Sequence, residues 1–380
     1  SKTLLPAGCY DLLPPQARQE SLLSSDLLSV FESFGYEQVS PPLLEYSENL
    51  LAGRGAELSP QIFRVMDPGA HKVMGIRADI TMQIARIAGS RLAEAPRPLR
   101  LSYNGLILRM QGEYLKGDRQ LRQAGIELIG PASPEADAEV ILVAIAALKR
   151  AGVRGFTVDL NLPGILSTLL ATEKLEPDAV QMLFRAVAHK DISTIRSLSF
   201  SYRDTLIGLL QCAGPAEQAL KAMGKLELPE SAAQQYRDMQ DVVSLLNATG
   251  KEGWTLTIDP AESRGFGYHN GISFSIFIPG AAYEVGRGGR YRIEGARPEL
   301  DMEATGFTVY VETLRTLLPP PTPYKKVLIS EGIVASERAA KLRAEGYVTI
   351  HALSEYGRSE EEARRLGCSH LYKEGQLKAL

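Results

Sequence analysis

The sequence predicts an α+β protein: an antiparallel sheet flanked by helices, followed by a small α/β module. Residues 177–247 have a helical pattern with few strand signals. The β-type runs WTLTI, GISFSIFI and AAYEVG then follow, and the glycine and proline turns between them favour antiparallel pairing. Beyond the proline-rich segment at 319–323, strand-like and helical runs alternate up to the C-terminus.

These patterns predict two domains. The first covers residues 1–318 and contains a helical insertion at 177–250, and the second is the α/β module at 324–380. At the end of the first domain, the alternation of Phe307, Val309 and Val311 predicts a strand that leads directly into a leucine-rich helix.

Two helices in the first half of the chain are predicted from apolar spacing and from signals at their ends. The first covers 17–34 and stops at Gly35. An extended segment follows, because prolines at 41 and 42 exclude a helix. The second helix begins at Pro134, after a possible capping Ser133, and runs to Ala151 with acidic residues at its start and basic residues at its end.

Composition is typical of a globular protein, with 44% apolar and 23% charged residues among 380. No apolar run approaches the about 20 residues of a membrane helix, and the N-terminal stretch has no signal-peptide pattern, so we expect a cytoplasmic protein without a membrane partner. The net charge of −3 argues against tRNA or DNA as the main partner.

Neither cysteines nor histidines form a pattern typical of a metal site. The three cysteines and five histidines are scattered and lack CxxC or i, i+4 spacing. The glycine-rich GRGGRY follows a predicted strand but opens no βαβ unit, so it is a weak dinucleotide signal. We therefore predict no metal and no cofactor.

Polar residues are instead grouped on strand-like segments. In GIRADIT, the residues Arg77, Asp79 and Thr81 alternate, which predicts one face of a strand. A strand ending near Arg109 is followed by a polar loop and a returning strand on which Gln123, Gly125 and Glu127 alternate. The run SRGFGYHNG supplies Arg264 and Tyr268, and Tyr291 lies in the predicted glycine-rich turn. Carboxylates suit an ammonium group, and arginines suit a carboxylate or phosphate.

These segments resemble, in order, the catalytic core of histidyl-tRNA synthetase, a class II synthetase, over residues ~5 to 318. GYEQVSPPLLE is similar to the first motif of the family, which forms the dimer interface. RADIT occupies the place where the synthetase has an Arg-Pro-Glu-Gly-Thr string. The Arg109 hairpin resembles motif two, RGFGYHNG and GGRY resemble the two histidine-specific motifs, and GFTVYVET stands at motif three. The resemblance implies a class II sheet, and an anticodon-binding domain that is reduced to the module at 324–380.

Departures from the family pattern fall on its nucleotide side. Thr313 stands where motif three has an arginine, Tyr310 where it has a glycine, and Gln111 where motif two has an acid. In the histidine motifs, Arg292 and Gly267 replace acidic residues. A threonine supplies no guanidinium to stabilise phosphate charge, so adenylation and tRNA charging are predicted to be lost.

The histidine side of the family pattern is largely kept. By resemblance, Glu127, Thr81 and Gln123 would meet the amino group; Asp79, Tyr268 and Tyr291 would surround the imidazole; Arg264 and Arg109 would face the carboxylate. The eight predicted histidine-binding residues are thus Asp79, Thr81, Arg109, Gln123, Glu127, Arg264, Tyr268 and Tyr291.

This combination resembles the regulatory subunits of ATP phosphoribosyltransferase, synthetase paralogues of histidine biosynthesis that are not catalysts. The resemblance implies three partners: a short-form catalytic subunit, free histidine as effector and a second copy of the chain through the first-motif region. Two alternatives stay open, an active histidyl-tRNA synthetase and a synthetase-like sensor with another partner.

Single residues also have structural interpretations. Glu127 could pair with Arg109 or Arg122, Arg264 could brace a loop, and Tyr268 and Tyr291 could pack as core aromatics. His269 has the features of a structural or surface histidine. Lys116, Arg119 and Arg122 could form a solvated loop or a contact with the catalytic partner.

Overall fold

A computed structural model describes residues 4–51, 58–111, 117–262, 269–293, 301–353 and 359–380. The chain divides into two compact units, Ser1–Pro319 and Pro320–Leu380. In the first unit the strands are β1 (Glu37–Gln38), β2 (Leu44–Tyr46), β3 (Phe63–Asp67), β4 (Lys72–Ile76), β5 (Leu99–Leu108), β6 (Gln120–Ile129), β7 (Phe156–Asn161), β8 (Gly214–Pro215), β9 (Trp254–Asp259), β10 (His269–Phe277), β11 (Gly286–Ile293) and β12 (Met302–Tyr310). Its helices are α1 (Gln16–Ser33), α2 (Ser47–Leu50), α3 (Thr81–Gly89), α4 (Pro134–Arg150), α5 (Ile165–Leu170), α6 (Pro177–Ala188), α7 (Ile192–Ser197), α8 (Arg203–Gln211), α9 (Ala216–Met223), α10 (Glu230–Ala248) and α11 (Val311–Leu317).

Within the described residues, nine of these strands form the main sheet, in the order β1-β5-β6-β12-β11-β10-β7-β9-β8. Neighbouring strands are antiparallel except for the pairs β1–β5 and β7–β9, which are parallel. Strands β2, β4 and β3 form a smaller antiparallel sheet. The predicted α+β class, with a largely antiparallel sheet, is confirmed.

The main core lies between the sheet and the helices α1, α4 and α10. Leu27 and Phe31 of α1, Val140 of α4 and Leu246 of α10 are fully buried there, together with Ile126 of β6. Burial of such side chains supplies most of the favourable free energy of folding.

Both predicted helices are found at the expected positions, within one residue at each end. Gly35 ends the first with φ 82°, a conformation that glycine adopts without steric cost. At the second, the Ser133 hydroxyl accepts a hydrogen bond from the Ala136 N–H. That contact satisfies one of the free N–H groups of the first turn of α4.

The opposite face of the sheet carries the polar residues. Along β6, Ile126 and Leu128 point toward the helices, while Gln123, Gly125 and Glu127 lie on the other face. A second apolar cluster borders them and includes Ile84 of α3, Tyr103 of β5 and Tyr310 of β12. The alternation predicted for Gln123, Gly125 and Glu127 is therefore confirmed.

The prediction that Arg77, Asp79 and Thr81 share a face of one strand is wrong. Strand β4 ends at Ile76, and Thr81 is the first residue of α3. The Asp79 carboxylate accepts the Thr81 N–H at 2.8 Å, a local bond that favours a helix start over a strand. The guanidinium of Arg77 donates to the carbonyls of Leu106 and Pro41, so Arg77 braces the fold.

The prediction that the glycine-rich segment forms a turn is also wrong. Gly286–Ile293 forms the central strand β11, whereas residues 281–285 of AAYEVG lie in the connection before it. A side chain at Gly288 would overlap the Gly306 carbonyl and the Phe274 ring. Glycine is required there because the neighbouring strands leave no space for a Cβ.

The second unit contains strands β13 (Lys326–Ile329), β14 (Val348–His351), β15 (His370–Lys373) and β16 (Gln376–Ala379), with helices α12 (Ser336–Ala344) and α13 (Glu360–Arg365). Its sheet order is β14-β13-β15-β16, and only the β15–β16 pair is antiparallel. The predicted alternation of strands and helices is confirmed, and β16 is a strand that the sequence did not indicate. In the described parts of both units, no helix is long and apolar enough to cross a membrane.

Candidate functional site

The centre of the polar face is Glu127, whose side chain is 1% exposed. It lies on β6 directly opposite Gly306 of β12. A Cβ at position 306 would overlap the Glu127 carboxyl oxygen Oε2, so glycine leaves the space that the carboxyl group occupies. The strand pairing thus places a buried carboxyl group on the sheet surface.

Tyrosine hydroxyls from two other strands contact this carboxyl group. Tyr291 of β11 donates to Oε2 at 2.9 Å, and Tyr103 of β5 donates to Oε1 at 3.5 Å. The Tyr103 hydroxyl also contacts the hydroxyls of Thr308, at 2.5 Å, and Thr81, at 3.4 Å. Glu127 is therefore the centre of a network that connects β5, β6, β11, β12 and α3.

Burial raises the pKa of Glu127 to about 8, because a charged carboxylate loses its hydration there. Hydrogen bonds from Tyr291, Thr81 and Tyr103 lower the pKa, but they offset only part of this desolvation. Burial, together with the nearby Glu127, also raises the pKa of the Tyr103 hydroxyl well above its usual range. Near pH 7 the carboxyl group is mostly protonated, and a cationic ligand would favour its ionisation.

A second carboxylate, Asp79, lies beside this network. Gln123 donates its amide N–H to Asp79 Oδ2 at 2.7 Å and accepts the Ile80 N–H at 3.0 Å. Gln123 is completely buried, and the Asp79 side chain is 21% exposed. Gln123 therefore orients Asp79, and Asp79 in turn holds the first N–H group of α3 through Thr81.

Arg109 borders the other side of Asp79, with its Nη2 3.9 Å from Asp79 Oδ2. Its Nε donates to the Ala78 carbonyl at 3.1 Å, and its Nη2 donates to the Tyr310 hydroxyl at 2.9 Å. The guanidinium carbon lies 5.5 Å from the centre of the Tyr310 ring, a cation–π distance. A carboxyl group and a guanidinium group thus border one region of the sheet.

Beyond Tyr310, the start of α11 supplies Glu312 and Thr313. The Glu312 carboxyl group accepts the Arg122 N–H at 2.5 Å, and burial raises its pKa to about 7. The Arg122 guanidinium donates to Glu20 at 2.8 Å, so Arg122 is neither in a solvated loop nor the ion-pair partner of Glu127. Arg315, the first basic residue of this helix, donates to the Tyr10 hydroxyl at 3.4 Å.

The structure brings together six of the eight predicted site residues: Asp79, Thr81, Arg109, Gln123, Glu127 and Tyr291. Arg264 and Tyr268 lie outside the described residues, as do Gly267 and Lys116. His269 is buried on β10 opposite Tyr291, which agrees with a structural position for its imidazole.

Two members of the network, Tyr103 and Thr308, were missed from the sequence. Tyr103 lies opposite Gly125, and a Cβ at that glycine would lie 2.5 Å from the tyrosine hydroxyl. A glycine inside a strand often marks the close approach of another group, so Gly125 was the available signal. The identity of the approaching residue depended on the strand pairing.

The arrangement of these groups is suited to binding a small zwitterion. The Glu127 carboxyl group lies beside hydroxyl groups, and the Arg109 guanidinium group lies on the far side of Asp79. Carboxyl oxygens accept hydrogen bonds from an ammonium group, and a guanidinium group binds a carboxylate through two parallel N–H groups. Among the described residues, no cluster of three or more His, Cys, Asp or Glu side chains is arranged to hold a metal.

Comparisons with known proteins show the family to which this chain is similar. The family model described as histidyl-tRNA synthetase matches residues 8–314. A curated relative from Rhodospirillum centenum, an ATP phosphoribosyltransferase regulatory subunit, is 42% identical over all of this chain and 97% of its own. The protein of the same name from Paramagnetospirillum magneticum is 42% identical over 97% of this chain and 96% of its own.

Solved structures show the same fold. A protein from Bacillus halodurans, described as an ATP phosphoribosyltransferase regulatory subunit/histidyl-tRNA synthetase, has a TM-score of 0.82 at 25% identity and covers 97% of both chains. Histidyl-tRNA synthetase from a Nostoc species has a TM-score of 0.77 at 17% identity, over 97% of this chain and 90% of its own. The fold is thus that of the class II synthetases.

Proposed function

This chain belongs to the family of ATP phosphoribosyltransferase regulatory subunits and is a non-catalytic subunit, and from this premise we propose what it regulates and how. It would activate a short-form catalytic subunit in the first step of histidine biosynthesis and transmit feedback inhibition by histidine. The observation that carries the proposal is the network of Glu127, Asp79 and Arg109, in which Arg109 donates to the Tyr310 hydroxyl.

Free histidine is the proposed ligand of this network. Its ammonium group would lie at Glu127 and Thr81, and its carboxylate would lie at Arg109. Arg264, Tyr268 and Tyr291 complete the proposed set with Asp79 and Gln123. Binding must favour one state of the complex over another, because a ligand changes activity only through its different affinity for the two states.

The proposal is tested with a purified short-form ATP phosphoribosyltransferase. We expect turnover only when this chain is added, and inhibition when histidine is added to the complex. An unchanged catalytic rate in the presence of this chain would contradict the activating role. Calorimetry without a histidine signal, for the chain alone and for the complex, would contradict the effector role.

A pyrophosphate exchange assay separates the proposal from an active synthetase. We expect no histidine-dependent exchange, because Thr313 cannot supply a guanidinium group and Tyr310 is buried against Arg109. Histidine-dependent exchange would show that adenylation is retained. Together with the net charge of −3, the lost nucleotide side supports the proposal that tRNA is not a partner.

We also propose that two copies associate through the first-motif region, α1 and β1. A groove of about 770 Å³ runs along these elements and is lined by Ser21, Ser24, Ser25, Leu28, Ser29, Glu32, Gly35, Tyr36, Glu37, Gln38 and Ser102. Strand β1 is the edge of the nine-stranded sheet, and an edge strand leaves backbone groups available for pairing.

The domain roles are proposals of the same kind. Residues 177–250 would be a helical insertion in a synthetase-like core at 1–318, since α6 to α10 lie there. Residues 324–380 would be a reduced counterpart of an anticodon-binding domain. Cleavage by a protease within 319–323, leaving a stable histidine-binding core, would support this division. The cytoplasm is the proposed location.

A further inference from the structure

Tyr310 is a buried tyrosine at the end of a strand. It is the last residue of β12, lies opposite Gln123 of β6, and is 7% exposed. Its ring packs in the apolar cluster with Ile107 and Leu121. The ring is therefore fixed by its surroundings, and the hydroxyl group has a defined position.

That hydroxyl group accepts a hydrogen bond from Arg109, itself 8% exposed. The guanidinium group contacts two distant parts of the chain: Nε donates to the Ala78 carbonyl and Nη2 lies 3.9 Å from the adjacent Asp79 carboxylate, while Nη2 also donates to the Tyr310 hydroxyl. An arginine side chain has several rotatable bonds, and ordering it at the moment of binding costs conformational entropy and so weakens binding. Here the Arg109 side chain is already ordered before a ligand binds.

We propose that Tyr310 is a positioning residue that holds the Arg109 guanidinium ready for the carboxylate of an amino-acid ligand. The inference rests on the proposed function, because the ligand is the histidine placed at this site. Tyr310 would then select ligands that carry a carboxylate next to the ammonium group. Its contribution is to ligand selectivity as well as to packing.

Calorimetry with histidine and with histidinol, which has a hydroxymethyl group in place of the carboxylate, tests the inference on the full chain. For Tyr310→Phe we expect about 5- to 10-fold weaker binding of histidine, the effect of losing about 1 kcal/mol from one hydrogen bond. Histidinol affinity should change less than about twofold, since that ligand does not use Arg109.

Tyr236→Phe is the matched control. Tyr236 of α10 is partly buried, and its hydroxyl donates to the Leu220 carbonyl of α9 at 3.1 Å. This variant loses one tyrosine hydrogen bond without touching Arg109, so both affinities should remain at the wild-type value. In an Arg109→Ala background, Tyr310→Phe should have no further effect on histidine binding, as a double-mutant cycle requires for two coupled residues.

The following outcomes would contradict the inference. Equal weakening of histidine and histidinol by Tyr310→Phe would assign Tyr310 a packing role only, and no weakening of either would show that its hydroxyl is irrelevant. If Tyr310→Phe does not fold, Tyr310→Leu gives the same comparison, and equal effects on the two ligands would again overturn it. A wild-type chain that binds no histidine would instead overturn the proposed function, and the inference with it.

Discussion

At the scale of single residues, the site depends on a carboxyl group that is costly to ionise. Glu127 is 1% exposed, and its pKa is raised to about 8 by burial. Hydroxyl groups of Tyr291, Tyr103 and Thr81 surround the Glu127 carboxyl group. Among the described residues, no arginine or lysine forms a direct ion pair with Glu127. A ligand ammonium group would supply the missing positive charge, so binding and ionisation are linked.

Histidine binding should therefore strengthen with rising pH. In the free protein Glu127 keeps its proton up to about pH 8 and must release it when the ammonium group binds. Between pH 6.5 and 8 the affinity should rise by up to about tenfold per pH unit, with proton release seen in calorimetry as a dependence on buffer ionisation enthalpy.

The variant Glu127→Gln should remove this proton release, because glutamine does not titrate. The imidazole of the histidine ligand also titrates near pH 6.5, and this contribution is the same in experiments with the wild type and with Glu127→Gln. Glu139→Gln, on α4 at the other face, is the control and should keep the wild-type pH dependence. The same proton release in Glu127→Gln as in the wild type would place the titrating group elsewhere.

The stability of the ligand-free protein should also depend on Glu127. Its folded pKa of about 8 lies above the ordinary value of 4.5, so the folded state binds the proton more tightly than the unfolded state. The contribution is fully present below pH 4.5 and is lost as the pH rises through 8, at a slope of up to about 1.4 kcal/mol per pH unit.

Urea unfolding of wild type and Glu127→Gln at pH 5 and pH 8 measures this contribution. Between pH 5 and pH 8, the wild type should lose unfolding free energy relative to Glu127→Gln, because only the wild type has the titrating carboxyl group. A difference that stays constant between the two pH values would mean that Glu127 titrates normally.

At the scale of elements, the glycine-rich strand β11 links the two faces of the sheet. Tyr291 lies on the face of the candidate site and donates to Glu127. On the helix side, Arg290 pairs with Asp137 of α4 and lies 3.8 Å from Asp238 of α10. Thr305 of β12 also donates to Asp137 at 2.8 Å. One strand thus connects the helix layer to the candidate site.

Removal of Asp137 should strongly destabilise the first unit. The Arg290 side chain is 11% exposed, and Asp137→Ala leaves its charge with Asp238 alone. Breaking a buried ion pair from one side costs about 3–5 kcal/mol. In urea unfolding, Asp204→Ala is the control, because Asp204 is 85% exposed in its pair with Arg203 and such pairs contribute about 0–1 kcal/mol. Equal effects of the two variants would show that the Asp137 pair contributes little.

At the scale of the whole molecule, helices cover one face of the nine-stranded sheet and the other face carries the polar network. Along one row of paired residues, Glu127 is followed by Gly306 of β12, Gly289 of β11 and Ser273 of β10. The Glu127 carboxyl group lies over Gly306, and a Cβ at Gly289 would lie 2.5 Å from the His269 ring. The glycines of this row therefore make room for buried side chains of the neighbouring strands.

The proposed association of two copies is also a property of the whole molecule. Ser25 lies on the exposed side of α1 in the groove. Ser25→Arg should weaken self-association at least about 30-fold, which corresponds to about 2 kcal/mol at a packed interface position. Sedimentation velocity measures the change, and Ser231→Arg on the exposed surface of α10 should leave association unchanged. A Ser25→Arg protein that associates like the wild type would exclude this surface.

The sequence by itself determined the features that depend on neighbouring residues. Helix α4 has its capping serine, its acidic start and its basic end within one stretch, and Gly35 ends α1 for a local steric reason. The alternation of Gln123, Gly125 and Glu127 follows from the two-residue period of any strand. The proline-rich segment predicts a domain boundary at 319–323, and the chain divides into compact units between Pro319 and Pro320.

Only the tertiary structure decided which distant residues meet at Glu127. Tyr103 and Thr308 are 205 residues apart, and they contact because β5 and β12 both pair with β6. It also decided against a strand at Arg77 to Thr81 and for a strand at Gly286 to Ile293. In the first, the Asp79 side chain bonds the backbone two residues ahead, and in the second, the neighbouring strands approach Gly288 too closely for a side chain at that position. Contacts of this kind depend on strand order and register, which residue spacing along the chain does not specify.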